Sequence, residues 1–390
     1  MNILIISQYF HPENFRVNDL SEELVKRGHD VTVLTGLPNY PKGEFFKGYG
    51  FFSKLKIENY RGVRVVRCRI FPRKSNSKFY LMLNYISFVI FGSLKILTLK
   101  NTRYDSLFVF SLSPITAAIP AILLKKIKKI PLSIWIQDLW PESVTANSNF
   151  DNSFIYGVLE KMVTYIYKSC DKILVTSKGM IKSIKSRGAK TDKIIYLPQW
   201  ATDFMQDGSK IKNLGIKFPK GFRIFFTGNI GKAADISSIV KAAQLLRDQI
   251  DIHFIFIGNG SMYEWLKNEI SVKGLNRTVH LYGSFPLQNM PYFYENADAL
   301  LATLGRAEIL SITVPGKIQS YLTSGRPVLT MINGEGSKVI KDANAGFTSN
   351  SGDYKSLVEN IIKLKSLSHY EREKLGLSGL KYSEKKLIDE

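Results

Sequence analysis

Residues 222–260 of the chain read FRIFFTGNIGKAADISSIVKAAQLLRDQIDIHFIFIGNG, and this stretch decides the fold. Its two apolar runs, at 222–228 and 252–258, predict strands, and each run ends in glycine. The amphipathic residues 237–246 between them predict a helix. A strand, a helix and a second strand form a βαβ unit, in which the two strands run parallel. We therefore expect a parallel sheet that is covered by helices.

The same alternation of apolar runs and amphipathic stretches extends over nearly the whole chain, in two series. A polar, irregular stretch at 198–221 separates the series and predicts a domain boundary. A length of 390 residues suits two domains. The predicted fold class is α/β, with two doubly wound domains at 1–200 and 201–370. We expect residues 371–390 to form a C-terminal helix that packs back on the first domain.

The composition is that of a folded protein in a reducing compartment. Hydrophobic residues make up 45% of the chain and charged residues 22%, which argues against disorder. The two cysteines, Cys68 and Cys170, stand far apart without a CxxC pair, so a disulfide framework or a zinc site is not expected. The first residues, MNILIISQYF, are typical of a strand rather than of a leader peptide. We expect a cytoplasmic protein.

Positive charge is concentrated in the first half of the chain. Residues 1–200 contain 30 Lys and Arg against 14 Asp and Glu, whereas residues 201–390 contain 24 against 19. Such an excess favours an anionic partner: nucleic acid, an acidic lipid surface or a diphosphate. The charge peaks in two clusters, at Arg61, Arg64, Arg67, Arg69, Arg73, Lys74 and Lys78, and at Lys125, Lys126, Lys128 and Lys129.

The apolar stretch 79–99 lies between the two basic clusters and selects the lipid surface among these partners. It is just long enough to span a bilayer, but a helix in the membrane interface or one buried against a sheet fits it as well. Basic flanks favour the interfacial form. We therefore expect the segment 61–129 to dock the first domain on an anionic membrane, as a peripheral protein on the inner face of the plasma membrane.

Two glycine-bearing loops follow strands of the second series, at 227–232 (TGNIGK) and 257–260 (IGNG). Ligands of parallel sheets bind beyond the carboxyl ends of the strands, where glycine lets the backbone approach a phosphate. Neither loop matches GxGxxG or GxxxxGK[ST], which excludes an ordinary dinucleotide fingerprint and a P-loop. A glycine that only makes a turn is the alternative interpretation.

The stretch 311–329, SITVPGKIQSYLTSGRPVL, is more specific. Thr313 is a plausible N-cap of a helix whose first turn contains Pro315. Lys317 adds a positive charge to that first turn, where the helix dipole already disfavours a cation. A lysine in this place is explained if the helix must hold an anion. Gly325 ends the helix, and a strand follows.

Together these segments resemble the family 4 retaining glycosyltransferases, whose GT-B fold has two Rossmann-like domains that face each other across a cleft. The stretch 311–329 resembles their donor-binding signature. The resemblance is greatest to the fucosaminyltransferase-like enzymes of O-antigen and capsule synthesis. Further matching segments are Thr227-Gly-Asn-Ile-Gly231, Gly258-Asn-Gly260, Tyr282-Gly283, Leu197-Pro-Gln-Trp200, Gln8-Tyr-Phe-His-Pro-Glu13 and Gln137-Asp-Leu-Trp-Pro-Glu142.

The resemblance implies a metal-independent transfer of sugar, with retention of configuration, from a nucleotide-sugar donor. No cofactor is implied, and the sequence has no clear DxD metal site. The favoured donor is a UDP-activated N-acetylated deoxysugar such as N-acetylfucosamine, and the favoured acceptor is a sugar linked to polyprenyl diphosphate. The residues implied in donor binding are Gly231, Lys232, Gly258, Asn259, Tyr282, Ser311, Thr313, Gly316, Lys317 and Gln319.

The chain departs from the family at several of these positions. Ser311 and Gln319 stand where most members have two glutamates, although a glutamine can still bond ribose hydroxyls. Asn229 and Ala234 stand where an arginine and a lysine are usual, so the diphosphate is expected to be held by Lys232, Lys317 and backbone N–H groups.

The acceptor hydroxyl must lose a proton, and Asp138 is the favoured residue to assist it. Asp138 follows an apolar strand in a loop rich in Trp and Pro, where burial would raise its pKa. Its alternative role is to cap the next turn. His11 is the second candidate because histidine titrates near neutrality, with a structural role as the alternative. Glu13 and Arg16 are expected to hold the acceptor or its diphosphate.

Three other functions compete with this prediction. A nucleotide-sugar epimerase shares the fold, but should need more acids and histidines and has no use for a basic apolar surface. A nucleic-acid-binding protein would explain the net charge of +21, but no recognised module of basic residues interleaved with stacking aromatics is present, and we expect no nucleic acid partner. A non-catalytic partner subunit would explain the missing glutamates.

Overall fold

A computed structural model describes residues 1–55, 57–74, 77–147, 153–201 and 213–388. The chain divides into two compact units. The first contains Met1–Thr176 and Met180–Leu197, and the second contains Ser177–Gly179 and Pro198–Glu390. The change of unit at residue 197 lies close to the boundary expected from the polar stretch 198–221.

The first unit is built on an eight-stranded sheet in the order β3-β4-β2-β1-β5-β6-β7-β8. Its strands are β1 (Asn2–Ile6), β2 (Asp30–Gly36), β3 (Ile57–Tyr60), β4 (Val63–Cys68), β5 (Ser106–Ser111), β6 (Leu132–Ile136), β7 (Lys172–Val175) and β8 (Ile194–Tyr196). Its helices are α1 (Arg16–Lys26), α2 (Lys78–Thr98), α3 (Ile119–Lys128), α4 (Glu142–Asn147), α5 (Ser153–Ser169) and α6 (Met180–Ser186). All neighbouring strands pair in parallel except β3, which pairs antiparallel with β4.

The second unit has a six-stranded, fully parallel sheet in the order β11-β10-β9-β12-β13-β14. Its strands are β9 (Phe222–Thr227), β10 (Ile252–Ile257), β11 (Val279–Gly283), β12 (Ala299–Thr303), β13 (Val328–Met331) and β14 (Gly346–Ser349). Its helices are α7 (Ile236–Leu245), α8 (Tyr263–Val272), α9 (Met290–Glu295), α10 (Glu308–Ser311), α11 (Gly316–Thr323), α12 (Glu335–Asp342), α13 (Tyr354–Ser366) and α14 (His369–Ile388).

The βαβ unit at 222–260 forms as predicted. Strands β9 and β10 pair in register from Phe222 opposite Ile252 to Thr227 opposite Ile257, and nearly every residue of both strands is buried. Strands covered on both faces by helices need apolar residues at successive positions, which is why these runs do not alternate. The predicted α/β fold with two parallel-sheet domains is confirmed.

The order of the strands locates the ligand-binding edge of each unit. In the second unit the chain runs outward from β9 through β10 to β11 and then returns to β12 on the other side of β9. The first unit reverses in the same way between β1 and β5. Loops diverge at such a switch point and leave a crevice beyond the carboxyl ends of the strands.

The C-terminal helix α14 belongs to the second unit, where it packs against α11. A Cβ atom on Gly376 would lie 1.9 Å from the carbonyl oxygen of Gly325, so glycine permits this close approach. The expected contact of residues 371–390 with the first domain stays a prediction. Strands β3 and β14 and the short helices α4 and α10 were not predicted, because each has six residues or fewer and no clear periodicity.

Arg67 corrects the expected membrane surface. Its side chain is 2% exposed, and its guanidinium makes two hydrogen bonds to the Glu58 carboxylate, at 2.7 and 2.8 Å. It also donates to the backbone oxygens of Gly36 and His11, at 3.2 and 2.6 Å. Arg67 therefore ties β4 to β3, to the loop after β1 and to the end of β2. It cannot contact a membrane while the domain is folded, and its assignment to the docking cluster is wrong.

We predict that Arg67→Leu lowers the free energy of unfolding of the first domain by about 3 kcal/mol, because it leaves a partly buried carboxylate without its partner. Arg64→Leu is the matched control, since Arg64 lies exposed on the same strand. A urea titration of the full chain, followed by tryptophan fluorescence, measures both variants. Equal losses in the two variants would contradict the buried ion pair.

Candidate functional site

The two glycine loops of the second unit are joined by backbone hydrogen bonds beyond β9 and β10. Gly228 N donates to Ile257 O at 2.8 Å, and Ile230 N donates to Asn259 O at 2.9 Å. A Cβ on Gly258 would lie 1.8 Å from the carbonyl oxygen of Gly228, so only glycine lets the loops meet. Gly258 thus has a structural role that the sequence did not predict, while its contact with a donor stays a prediction. Asn259 is exposed and bonds the backbone N–H of Gly260 at 2.7 Å.

The loop after β9 is also fixed to the strand on its other side. Its residues Lys232–Ala234 form a short 3-10 turn, where Gly305 N donates to Ala233 O at 2.9 Å and the Thr303 hydroxyl donates to Ala234 O. Gly231 is buried just before the turn, whereas the Lys232 side chain is exposed. The predicted donor residues Gly231 and Lys232 therefore lie at the switch point between β9 and β12.

Tyr321 anchors helix α11 to the carboxyl end of β9. Its hydroxyl accepts a hydrogen bond from Thr227 N at 3.0 Å and lies 3.1 Å from the Thr227 hydroxyl. Tyr294 lies 3.4 Å from that same threonine hydroxyl. These bonds fix the start of α11 beside the glycine loops. This role was not predicted, although a tyrosine one helical turn after Lys317 was the available signal.

Lys317 stands in the first turn of α11, close to the loop after β9. Its Nζ lies 3.7 Å from the centroid of the Phe226 ring, in a cation–π contact. A Cβ on Gly228 would be 4.0 Å from that Nζ, so the ammonium sits beside the glycine loop. Burial lowers the pKa of Lys317 to about 7. Among the residues that the structure describes, no carboxylate forms an ion pair with Lys317.

The start of α11 differs from the sequence prediction. Pro315, rather than Thr313, occupies the cap position, with Gly316 as the first helical residue. The Thr313 hydroxyl donates instead to Leu310 O at 3.2 Å, at the end of α10. The predicted N-cap role of Thr313 is therefore wrong. The short helix α10 lies before α11, and the Thr313 hydroxyl bonds a carbonyl group of α10 instead of an N–H group of α11.

The other predicted donor residues lie around this helix start. The Ser311 hydroxyl donates to Glu308 O at 2.7 Å, again within α10. A Cβ on Gly316 would lie 3.0 Å from Gln199 Oε1, so the glycine leaves room for that amide. Gln319 is half-buried, and it follows Lys317 by two residues, which places it on a different side of the helix. The donor contacts of Ser311, Thr313, Gly316 and Gln319 stay predictions.

Tyr282 is held by the segment that precedes β9. Its hydroxyl donates to Lys217 O at 3.1 Å, and its ring packs edge-on against Phe218 with 5.3 Å between centroids. Burial raises the pKa of Tyr282, so the phenol stays protonated. Tyr282 thus joins the edge strand β11 to the segment before β9 that contains Lys217 and Phe218. Its contact with a donor stays a prediction.

In the first unit, Glu13 organises the loops beyond β1 and β2. The side chain is buried, and its carboxylate accepts hydrogen bonds from the backbone N–H groups of Asn39, Tyr40 and Phe10, at 2.8, 2.7 and 3.2 Å. Burial raises the pKa of Glu13 to about 7, against the opposing effect of these three donors. The sequence did not predict this structural role, and the contact of Glu13 with an acceptor stays a prediction.

Arg73 stands over an aromatic cluster at the same edge of the sheet. Tyr9, Phe15 and Tyr40 contact one another with ring centroids 5.3 to 5.8 Å apart. The Arg73 guanidinium carbon lies 5.3 Å from the centroid of Tyr40 and 6.0 Å from that of Tyr9. Within the described part of the chain no carboxylate pairs with Arg73. Sequence analysis placed this residue in the membrane cluster because its aromatic partners are distant in sequence.

Asp138 is half-buried just after β6, as its position behind an apolar strand predicted. Burial raises the pKa of Asp138, and a hydrogen bond with the Ser113 side chain opposes the rise. Trp140 Nε1 donates to the same Ser113 hydroxyl at 2.8 Å, and the Trp140 ring lies 6.4 Å from that of Tyr85 on α2. Asp138 therefore lies in an aromatic loop that is partly shielded from solvent. The raised pKa makes its carboxylate a stronger base.

His11 lies against the edge strand β3 rather than in the loop after β6. Its ring stacks on Tyr60 of the edge strand β3, with 4.2 Å between centroids. Burial and the nearby cations Arg67 and Arg61 lower the pKa of His11, so the imidazole is neutral at pH 7. Arg16 begins α1 and lies 3.6 Å from the carboxylate of Asp19. The acceptor role of Arg16 and the catalytic roles of His11 and Asp138 stay predictions.

Helix α2 supports the loop after β1 through one buried amide. Gln8 Nε2 donates to Asn84 Oδ1 at 2.7 Å, and Asn84 Nδ2 donates to Phe71 O at 2.5 Å. Asn84 has no exposed surface and lies on the inner face of the helix. It therefore joins the apolar helix to the segments that contain His11 and Arg73. The available sequence signal was a lone asparagine within the apolar stretch 79–99.

The described residues contain no group of three or more His, Cys, Asp or Glu side chains that could hold a metal ion.

Comparison with known families agrees with the architecture of both units. Residues 14–200 match the glycosyl transferase 4-like domain, and residues 210–380 match the glycosyl transferases group 1 domain. Both halves of the chain are therefore glycosyltransferase domains, and the second half matches group 1. Its two parallel-sheet domains correspond to the GT-B fold expected from the sequence.

Two curated relatives are similar to this chain at low identity. The probable glycosyltransferase WbjE of Pseudomonas aeruginosa is 24% identical over 233 residues, which are 58% of this chain and 58% of WbjE. The putative colanic acid biosynthesis glycosyl transferase WcaI of Escherichia coli K12 is 22% identical over 83% of this chain and 82% of its own length. The match with WbjE thus spans less than two thirds of either protein.

A solved structure extends the comparison to the fold. HepE of Anabaena, in complex with UDP, superposes with a TM-score of 0.65 at 12% identity, over 99% of this chain and 95% of its own. A likeness at this identity shows the shared fold alone.

We predict that Lys317→Met raises the melting temperature of the free protein at pH 6–7, because it removes a cation whose burial is unfavourable. Since burial lowers the pKa from 10.5 to about 7, the unfolded wild type binds more protons than the folded one between these values. Wild-type stability therefore rises with pH over this range, and the advantage of the variant shrinks. Thermal unfolding at several pH values measures this difference. The exposed Lys232→Met is the control, and an advantage independent of pH would contradict the assignment.

Proposed function

We propose that the protein is a retaining, metal-independent glycosyltransferase that moves a sugar from a UDP-sugar to an acceptor linked to polyprenyl diphosphate. The observation that carries the proposal is the placement of Lys317, a cation without a carboxylate partner among the described residues, beside the glycine loops. A buried lysine is costly unless an anion neutralises it. A diphosphate at this edge of the sheet would supply that anion.

Three features support a nucleotide diphosphate as the ligand of the second unit. The glycine loops expose backbone beyond β9 and β10; Lys232 belongs to the loop after β9, and Lys317 lies beside that loop. Helix α11 directs its first N–H groups to the same place, a common arrangement for phosphate binding. The fold-related HepE binds UDP. The donor set proposed here is Gly231, Lys232, Gly258, Asn259, Tyr282, Ser311, Thr313, Gly316, Lys317 and Gln319.

The reaction breaks the bond between the anomeric carbon and the diphosphate and forms a bond from that carbon to an acceptor oxygen. Negative charge develops on the leaving phosphate, where fixed cations and N–H groups stabilise the transition state. Lys317 regains its proton when the diphosphate binds and supplies this charge. Neither position of the usual glutamate pair is acidic here, so Ser311 and Gln319 bind the sugar and the ribose as neutral partners.

Asp138 and Arg73 carry the acceptor side of the proposal. Asp138 takes the proton from the acceptor hydroxyl, which its raised pKa favours. Arg73, held over Tyr9 and Tyr40, binds the acceptor diphosphate, while His11, Glu13 and Arg16 shape the surrounding loops. An acceptor of this kind is embedded in a membrane, which supports a peripheral protein on the inner face of the plasma membrane.

The sugar and the product follow from the resemblance to the fucosaminyltransferase-like enzymes. We assign an N-acetylated deoxysugar such as N-acetylfucosamine to the donor and surface polysaccharide, of the O-antigen or capsule type, to the product. The name of WcaI, a putative colanic acid biosynthesis glycosyl transferase, supports a polysaccharide product. Transfer of labelled sugar to lipid extracts, tested with a panel of UDP-sugars, checks both assignments. An epimerase would instead convert the donor in the absence of any acceptor.

We predict that the affinity for an unreactive UDP-sugar analogue falls as the pH rises above about 7, by up to about tenfold per pH unit, because Lys317 must regain a proton on binding. The phosphates of such an analogue do not titrate in this range. Titration calorimetry should show proton uptake. Lys317→Met should lose the pH dependence and about 1.5–3 kcal/mol of binding energy, while uridine binding is unchanged. An equal loss for uridine would mean that the lysine acts structurally.

We predict that Asp138→Asn lowers kcat by about 100-fold or more and removes the acidic limb of the pH profile, while donor affinity stays near wild type. The acidic limb arises because protonated Asp138 cannot accept a proton. Steady-state kinetics between pH 5 and 8 measure the effect.

Arg73→Met provides the contrast, since loss of a binding cation should raise KM for the diphosphate acceptor more than it lowers kcat. An active Asp138→Asn enzyme with an unchanged pH profile would overturn the role of Asp138.

A further inference from the structure

Helix α2 has two different faces. Its inner face is buried, contains Asn84, Ser87, Phe88, Gly92 and Ile96, and packs against α3. Its outer face carries six large apolar side chains that are 38–63% exposed, and we call them the outer stripe. They are Phe79, Met82, Ile86, Ile90, Leu94 and Leu97.

The outer stripe is continuous along the helix. Its members follow one another at intervals of three or four residues, which places them on one side of an α-helix. The helix has 21 residues and a length of about 31 Å. Soluble domains rarely expose a contiguous apolar surface of this extent unless it contacts a partner. Helix α5, which packs on α3, also has exposed apolar side chains, Val158 and Tyr165.

The charges around the outer stripe select the partner. Residues 78–129 contain eight Lys and Arg and a single acidic residue, Asp105. Lys126, Lys128 and Lys129 are exposed at the end of α3, next to α2 in the fold. Two copies joined through this face would bring like charges together, whereas an anionic bilayer attracts them. Charge complementarity thus favours lipid over a second copy of the chain.

The inner face decides how the helix meets the bilayer. Lys78–Thr98 is long and apolar enough to cross a membrane by length and composition alone, with a mean hydropathy of 1.6. A crossing helix would have to leave α3 and would break the bonds of Asn84 to Gln8 and Phe71. A helix that lies flat keeps these contacts and presents the outer stripe to lipid.

We propose that the outer stripe inserts into the boundary between head groups and acyl chains of an anionic phospholipid bilayer, with α2 parallel to the surface and Lys126, Lys128 and Lys129 on the head groups. The proposal rests on the lipid-linked acceptor of the proposed function and names the surface that meets the membrane. It replaces the docking cluster 61–78 in part, because Arg67 is buried and Arg61 pairs with Glu22 at 2.6 Å.

Co-sedimentation with vesicles of phosphatidylglycerol and phosphatidylethanolamine tests the surface. Ile86→Glu and Leu94→Glu should each weaken binding by about tenfold or more, since a lost apolar insertion and an added negative charge both oppose it. The matched controls are Leu245→Glu and Val272→Glu, whose parent side chains are exposed apolar residues of the second unit. Binding should also fall at high salt and on vesicles without phosphatidylglycerol. Equal effects of stripe and control substitutions would overturn the proposal.

A labelled cysteine tests the depth without disturbing charge. The native Cys68 and Cys170 are buried, and burial raises the pKa of each thiol to about 12, so an introduced exposed cysteine is labelled selectively. An environment-sensitive dye on Leu94→Cys should shift to the blue on vesicles, whereas the same dye on Leu245→Cys should not. Resistance to alkaline extraction would overturn the flat orientation in favour of a crossing helix. A dimer that dissociates in Leu94→Glu would show that a second copy occupies the face.

Binding of the UDP-sugar analogue separates this proposal from the proposed function. Stripe variants should bind the analogue as wild type does, because α2 lies in the other unit. Vesicle binding without analogue binding would leave the docking surface standing and remove the proposed UDP-sugar donor. A protein that transfers sugar to a soluble acceptor but does not bind vesicles would support the glycosyltransferase and overturn the docking surface.

Discussion

Parallel pairing is the constraint on which the rest of this structure depends. It aligns the carboxyl ends of neighbouring strands at one edge of each sheet, with the antiparallel edge strand β3 as the exception, so the loops that leave the parallel strands enter the same small region. Residues as distant in sequence as Thr227, Thr303 and Tyr321 therefore meet at one switch point. In the first unit the same constraint brings the loop of Phe10 to that of Asn39, and the Glu13 carboxylate bonds the backbone of both.

Three buried or half-buried ionisable groups show how the fold treats charge at these edges. Arg67 is neutralised by Glu58 and bonded on every side, so it is part of the scaffold. Glu13 receives three backbone N–H groups and forms no ion pair with any described residue, and burial raises its pKa to about 7. Lys317 has an aromatic ring and no anion among the described residues. Of these three groups, Lys317 is the one without a hydrogen-bonded or charged partner among the described residues, and a diphosphate would supply that partner.

The fold was predictable from sequence because long apolar strands and amphipathic helices each leave a periodic signal. The parallel β9–β10 pair followed from that signal alone. The site was less accessible. The predicted N-cap at Thr313 failed because the short helix α10 carries no periodicity. Arg67 and Arg73 were grouped as surface charges, since their partners Glu58 and Tyr40 meet them only through tertiary contacts. The sequence did indicate Lys317 as a candidate, because a lysine in the first turn of a helix is disfavoured by the helix dipole.

The outer stripe of α2 has a consequence for the protein in water. Six exposed apolar side chains add little to folding and favour self-association, whereas a net charge of +21 keeps copies of the chain apart. We therefore expect electrostatic repulsion to keep the purified protein in solution. Its solubility should be greatest in dilute buffer and should decline as added salt screens the repulsion and strengthens the attraction between apolar faces. This dependence on salt is opposite to salting-in, in which a small amount of added salt raises the solubility of a protein.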